Sequence, residues 1–451
     1  MSSFFILFSF QHAFLRFDKP LLEFRLNDNL LISRNQRFSL FSNKIINISQ
    51  QFRRLFLTAF HNYCSSVGDR LNCLLINQTE SDLADSFIIA SALTLPLSNS
   101  QQRRFLSEHP ITALSTDDYN IINIVLSHSY LFDFNNITVI KTKSIDTKFL
   151  ELFINLKEID FSKSRIKHIS VLNTLQNLIS INLNSSKIDS LNVLASCHSL
   201  QFLNASVVGL TDLFPLLTLL SLRYLNLSCC SLSDVSSLQN CRLLEELNLS
   251  DNKITNISPI SLLTKLCKLY LPRNQIADIS PLSNCTKLRE VDLMDNSISD
   301  ISSLSNCKRL GVLNLSFNQI HDISALSSCS FLEELKICDN RITSINPLCN
   351  CFLLRELNLS DNRIDDISLL STCVLLKELN LSHNRIVDVT SISNCKTLQS
   401  LNVSFTNVAD LLPLLSCGEL NDLLFDCSAV TAEIRRQYFQ TRHKIRKSQN
   451  R

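Results

Sequence analysis

Apolar residues recur along most of the chain with a fixed step of 22 positions. In Leu243 to Ile260, LLEELNLSDNKITNISPI, leucines stand at 244, 247 and 249 and isoleucines at 254, 257 and 260, around one polar residue, Asn252. The next unit repeats this as Leu266, Leu269, Leu271, Asn274, Ile276, Ile279 and Leu282, and the asparagine returns as Asn296, Asn318, Asn340, Asn362 and Asn384. Backward, the pattern holds through Leu222, Leu225 and Leu227 to Leu156, Ile159 and Phe161, with a degenerate unit expected at Phe134, Ile137 and Val139. Forward, it holds to Leu398, Leu401 and Val403, with a last half-unit at Leu420, Leu423 and Phe425. About twelve units thus fill residues 134–430.

Each unit has a physical reading. LxxLxL sends alternate side chains to one side, which predicts a short strand. One such strand cannot bury its apolar face, but stacked units form a parallel sheet over a shared core. Where the strand ends, an inward asparagine can donate and accept at once and satisfy the turning backbone. The roughly eight remaining residues suit a single 3₁₀ turn better than an α-helix. Ser258, Ser280, Ser302, Ser324 and Ser368 stand where a cap for that turn is expected, and Pro259, Pro281 and Pro347 follow at its start. The asparagine column is broken by Ser164, Ser186, Val208, Cys230 and Thr406. Val208 cannot make the bonds, which predicts a looser or kinked unit there.

Residues 1–133 lack the period. Gln50 to Cys64 shows helical spacing at Phe52, Leu55, Phe56, Ala59, Phe60 and Tyr63, and further helical segments are expected from Ser81 and from Ser115 or Thr116. The expectation is a helical N-terminal cap over the first rung, preceded by ~45 residues with no sustained pattern and no fixed order. Residues 431–451 form a basic tail in which Ile434, Tyr438 and Ile445 share a helix face, with Arg435, Arg436, Arg442, Lys444, Arg446 and Lys447 around it. A terminal helix closing the core, then a solvated end, is the expected reading; nuclear targeting or contact with an anionic surface is the alternative.

Composition narrows the function. Net charge is +2, and the tail alone carries seven Lys/Arg against one Glu, +6, leaving about −4 for the rest. That balance gives no reason to expect a nucleic-acid partner. Four glycines allow no phosphate-cradling loop, and no CxxC pair or catalytic constellation can be written, so no enzyme, cofactor or metal site is expected. No apolar run reaches the ~18–20 residues of a membrane span. The N-terminal MSSFFILFSFQHAFLRF has an apolar patch but neither a basic start nor a cleavage site for a secretory signal. Of seventeen cysteines, Cys197, Cys241, Cys285, Cys307, Cys329, Cys351, Cys373, Cys395 and Cys417 occupy one column, shared with Leu175, Leu219 and Leu263. They read as small buried apolar residues with reduced thiols, which favours an intracellular, cytoplasmic home, with the basic tail pointing to the nucleus as an alternative.

The string LxxLxLxxNxIxxIxxL is identified as a leucine-rich repeat of the 22-residue class, over about two thirds of the chain. It resembles the leucine-rich-repeat regulatory subunit of type-1 protein phosphatase, and NQIADISPLSNCTKL, Asn274 to Leu288, is similar to the repeats of bacterial internalins. The resemblance implies an α/β solenoid, a horseshoe with a parallel sheet on its concave side and short 3₁₀ turns on its convex side. It implies a non-catalytic scaffold binding a protein on the concave face. The phosphatase likeness points to a type-1 phosphatase catalytic subunit as that partner; the internalin likeness points instead to a secreted or cell-surface adhesion protein.

In such a fold the column six before the asparagine and the column just after it face outward. The first is rich in Glu, as at Glu246, Glu290, Glu334, Glu356 and Glu378, and the second in Arg and Lys. Copying of the repeat explains such regularity, so deviations carry more weight. Tyr270, Asp292 and Lys336 interrupt a column of asparagines running from Asn204 to Asn402, with Lys268, Arg273, Met294, Asp295 and Phe317 close by. Aromatic and Arg residues are the usual anchors of interfaces. Glu246, Lys268, Tyr270, Arg273, Asp292, Met294, Asp295, Phe317 and Lys336 are therefore the expected protein-binding set.

Overall fold

The computed structural model describes strand segments within residues 4–32, residues 113–115, and residues 134–449 apart from 144–146, 189, 210 and 211. The chain divides into two compact units, Met1–Asp189 and Ser190–Arg451.

In the first unit β1 (Phe4–Leu7), β2 (Ala13–Asp18), β3 (Leu21–Leu26) and β4 (Asn29–Ile32) form an antiparallel sheet in that order. These strands depart from the expectation of no fixed order before residue ~45 at the described residues, where the sequence runs in short apolar stretches. The expected helices at 50–64 and from Ser81 lie outside the described residues. Ser115 ends β5 (Ala113–Ser115), and the helix expected from Ser115 or Thr116 would fall on residues outside those described. β5 pairs parallel with β6 (Val139–Lys141), followed by β7 (Glu158–Asp160) and β8 (Ser180–Asn182). The register of β6 differs from expectation. Val139 pairs with Glu158, a step of 19 positions. The buried residues are therefore Ile137, Ile140 and Thr142, not Phe134, Ile137 and Val139. The first connection is three residues shorter, which a strict 22-residue extrapolation cannot register.

In the second unit the strands are β9 (Phe202–Asn204), β10 (Tyr224–Asn226), β11 (Glu246–Asn248), β12 (Lys268–Tyr270), β13 (Glu290–Asp292) and β14 (Val312–Asn314). They continue as β15 (Glu334–Lys336), β16 (Glu356–Asn358), β17 (Glu378–Asn380), β18 (Ser400–Asn402) and β19 (Asp422–Leu424). Pairing is parallel and in register at the repeat step, as in Tyr224↔Glu246↔Lys268. Equivalent residues therefore stack in columns ~4.8 Å apart. The central residue of each strand from β9 to β18 faces the core, and Leu247, Leu269 and Leu313 have no exposed surface.

The inward asparagine does what its chemistry allows. Asn252 donates from Nδ2 to the carbonyls of Leu227 and Leu249 at 2.9 Å, and its Oδ1 accepts from the N–H of Cys230 and of Leu232. One side chain thus ties two rungs together. Its substitutes do less. The buried Ser164 and Ser186 hydroxyls have no hydrogen-bond partner among the described residues. Val208 precedes Gly209 at φ +69 and leads to a four-residue 3₁₀ turn, Phe214–Leu217, where the next unit has five; the bend expected there falls partly on the undescribed residues 210 and 211.

Each strand from β9 to β18 is followed by a 3₁₀ turn, for example Ser258–Leu262, Ser280–Asn284 and Ser302–Asn306, and successive turns pack on one another. The serines do not cap them. The acceptor is the Asp or Asn two residues earlier: Asp278, Asp300 and Asp322 each accept at 2.8 Å from the N–H of Ser280, Ser302 and Ser324, and Asn256 does so for Ser258. The serine is already the first turn residue, and its hydroxyl donates back to the same carboxylate. A second polar ladder closes the turns. Asn240, Asn284, Asn306, Asn350 and Asn394 donate from Nδ2 to the carbonyl 23 positions earlier.

The cysteine column is buried and its thiols are free. From Cys241 to Cys417 each thiol of the column points along the stack at a carbonyl of the preceding rung, as Cys307 does toward Leu282 O at 3.6 Å and Cys285 O at 3.8 Å. The far end is closed by α1 (Ala432–Gln449). Tyr438 is buried on its inner face, as the spacing predicts. Arg442, expected among the solvated charges, is buried as well. Its guanidinium donates to Cys417 O at 3.1 Å and to Leu420 O, with Arg446 adding a bond to Leu420 O at 3.0 Å. These are carbonyls that a further rung would have satisfied.

Candidate protein-binding face

The strand face turned away from the core in the second unit carries the expected residues. Its geometry starts at the residue before the inward asparagine. Asp251, Arg273, Asp295, Phe317, Asp339, Asp361, His383 and Phe405 all adopt φ between +50 and +58. The chain must bend there to bring the asparagine inside, and L-residues other than Asn and Asp pay steric energy in that conformation. The four aspartates suit it; Arg273, Phe317, His383 and Phe405 do not. Phe317 is 44% exposed, so no core packing compensates it. Phe405, 63% exposed, stacks on His383 at 4.2 Å between ring centroids, and His383 Nδ1 lies 3.9 Å from Asp361.

The column of asparagines running along the middle of the face is structural. Oδ1 of Asn248, Asn314 and Asn358 accepts from the N–H two residues on, at Ser250, Ser316 and Ser360, and so supports the bend. Asp292 does the same for Met294 at 3.0 Å, so it is not the interruption that its charge suggests. Tyr270 replaces asparagine where position 272 is proline, which has no N–H to satisfy. Between Asn204 and Asn402, Lys336 alone gives up the acceptor while the residue two on, Cys338, retains its N–H.

Four of the expected residues and Glu290 meet in one patch. Lys268 Nζ lies between Glu246 Oε2 at 3.9 Å and Glu290 Oε2 at 3.6 Å. The Tyr270 hydroxyl donates to Glu290 Oε1 at 2.7 Å. Burial, then that carboxylate, raise the Tyr270 phenol above its ordinary value. Asp292 follows Tyr270 in register, and burial raises its carboxyl, opposed by the Met294 N–H and by Lys336. Lys336 lies two rungs further, with Nζ 2.5 Å from Glu334, whose hydrogen bond raises the ammonium. Arg273 turns the other way, to Asp251 Oδ1 at 3.2 Å. Asp295 and Phe317 stand exposed beside the half-buried Met294. Such exposed pairs contribute about 0–1 kcal/mol each. All but Lys336–Glu334, which lies within one strand, run along columns between rungs, as Arg355–Glu333 at 3.3 Å also does.

The expected set thus divides into a connected core of Glu246, Lys268, Tyr270 and Asp292, and outlying Arg273, Met294, Asp295, Phe317 and Lys336. Sequence reasoning passed over the Phe405–His383 stack and the Phe202–Tyr224 pair, stacked at 4.2 Å and 8°. The signal was available: both are aromatic departures in columns otherwise rich in Asp or Glu. Among the described residues no group of His, Cys, Asp and Glu is suited to hold a metal ion, and no helix is long and apolar enough to cross a membrane.

Known proteins place this geometry. The family described as Leucine Rich repeats (2 copies) matches residues 220–262, 242–284, 264–306, 308–350 and 353–394. No curated protein gives a significant sequence match. Among solved structures, an internalin of Listeria monocytogenes (inlF) is 29% identical with a TM-score of 0.64, covering 76% of this chain and 94% of its own. A leucine-rich-repeat protein of Leptospira interrogans is 19% identical with a TM-score of 0.67, covering 78% and 96%. The functional domain of InlJ from Listeria monocytogenes, described as including a cysteine ladder, is 18% identical with a TM-score of 0.59, covering 74% and 76%.

Proposed function

This chain is a leucine-rich-repeat protein with internalin-like repeats, and from that premise we propose that it is a non-catalytic scaffold that binds a protein on its exposed strand face. Glu246, Lys268, Tyr270, Arg273, Asp292, Met294, Asp295, Phe317 and Lys336 form the contact surface. The observation that carries this reading is Phe317: an exposed aromatic held at φ +58, where Asp295 and Asp339 occupy the same place in the rungs on either side. Strain of this kind persists where something other than folding retains it. A type-1 phosphatase catalytic subunit is the defined partner to try first. The test is binding of that subunit, and of proteins captured from native lysate, to the wild type, to Tyr270→Ala/Arg273→Ala/Phe317→Ala, and to Arg341→Ala/Arg363→Ala/Arg385→Ala. Loss from the first variant and retention by the second is the expected result. Equal binding by all three removes the site; failure of the phosphatase alone removes only that partner.

The thiol column supports a cytoplasmic home for this scaffold, because buried donors to carbonyls need no oxidant. The 29% identity to an internalin supports a second reading, a secreted or surface adhesion protein. Alkylation of the protein in its own cells, before lysis, separates the two: labelled Cys229 and Cys427 on intracellular protein support the scaffold, whereas a glycosidase-sensitive extracellular form supports adhesion.

A further inference from the structure

Between each 3₁₀ turn and the next strand of the second unit lies a two-residue tip. The residue that opens the following strand segment donates back one rung, as Arg289 N–H does to Cys267 O at 2.8 Å and Arg355 N–H to Glu333 O at 2.8 Å. The tips therefore line one edge at the strand spacing, ~4.8 Å. Three consecutive tips are cationic: Lys265, Lys287, and Lys308 with Arg309, all exposed. The next three are apolar. Phe331 is 59% exposed, Phe352 53%, Leu353 38% and Val374 49%. The seventh returns to a cation, Lys396.

Folding does not ask for those apolar side chains. The core positions beside them are Leu332, Leu354 and Leu376, each without exposed surface, and neighbouring units fold with Thr-Lys or Lys-Arg at the same tips. Nor does copying explain them, since the apolar tips depart from the copied residues. No acidic residue occupies any tip from Thr264 to Thr397, and Glu333, two residues after Phe331, is already paired with Arg355 at 3.3 Å.

We propose that this edge is a peripheral membrane-binding surface. Phe331, Phe352, Leu353 and Val374 enter the boundary between headgroups and acyl chains, and Lys287, Lys308, Arg309 and Lys396 meet anionic lipid headgroups on either side. The occupant follows from shape and charge. Apolar side chains on successive protruding tips suit a yielding interface, which takes up apolar area without side-chain-sized pockets, and cations flanking them that have no ion-pair partner among the described residues match a negative lipid surface. Aliphatic Leu353 and Val374 offer nothing to the bases or phosphates of a nucleic acid. This edge does not involve Tyr270, Arg273 or Phe317, so its test is independent of the protein-binding face.

The experiment is co-sedimentation of the purified full chain, without other proteins, with phosphatidylcholine vesicles lacking or containing about 30% phosphatidylserine. Partitioning should be at least about tenfold stronger onto the anionic vesicles and should weaken with salt. Lys287→Glu/Lys308→Glu/Arg309→Glu and, separately, Phe331→Ser/Phe352→Ser/Leu353→Ser should each lower it about tenfold or more, with wild-type circular dichroism and melting. Tyr270→Ala should bind vesicles as the wild type does. Equal binding to neutral and anionic vesicles, or wild-type binding by the serine variant, overturns the proposal. So does retention on polyglutamate or RNA with none on vesicles.

Discussion

Asn318 donates to Leu293 O at 3.0 Å, Leu315 O at 3.1 Å and Ser316 O at 3.2 Å, and accepts from Ile298 N–H at 2.9 Å. Asn318→Ala strands buried groups in two rungs and should cost about 2–4 kcal/mol in urea unfolding. Ser186→Ala, at the same repeat position but removing a hydroxyl that has no partner, should stay within about 0.5 kcal/mol of wild type. Phe317→Asp restores the residue that suits a positive φ and should stabilise by about 0.5–1 kcal/mol while abolishing partner binding. The asparagine column was legible because one polar residue recurs amid apolar ones. The serine caps were misread because Ser has cap chemistry; the actual acceptors, Asp278 and Asp300, sit two residues earlier, where a carboxylate looks like a solvated charge. The left-handed bend at Phe317 left no sign in hydropathy, although the recurrent Asp251, Asp295, Asp339 and Asp361 in its column were a hint.

At the scale of an element, the buried cysteine column ties stability to pH. Burial pushes the Cys241, Cys307, Cys351 and Cys395 thiols from the ordinary 9.0 up to about 12, and Cys285 and Cys329 to about 11. Between pH 9 and those values the unfolded chain holds fewer protons than the folded one, so stability fully present below pH 9 is lost as pH rises through that window. Urea midpoints should be flat from pH 7 to 9 as far as these thiols are concerned and fall steeply above. At neutral pH iodoacetamide should label exposed Cys229 and Cys427 and spare the column. The terminal helix makes a local prediction. Arg442→Met removes the donor to Cys417 O and one of the two to Leu420 O, leaving that of Arg446, and hydrogen exchange should quicken in β18 and β19 but not in β12. The helix and its inner Tyr438 were legible from spacing. The burial of Arg442 was not, because only an end rung with unsatisfied carbonyls draws a guanidinium inward.

For the whole molecule, a repeat places most residues by arithmetic, and arithmetic fails where the step changes. It fixed the columns from Leu156 to Val403 but misplaced β6, whose connection is 19 positions long rather than 22. It could not separate ornament from function, because duplication copies both. The rungs that depart from the repeat are where duplication does not account for the residues, and Lys268 and Lys336 bracket those rungs with exposed amines. An amine-reactive cross-linker, with mass spectrometry of the captured complex, tests this claim most directly. Partner cross-links are expected at Lys268 and Lys336, which become less reactive than in the free protein, while Lys253 on the same unit is unchanged. Cross-links confined to other lysines, with Lys268 and Lys336 as reactive in the complex as alone, would contradict it.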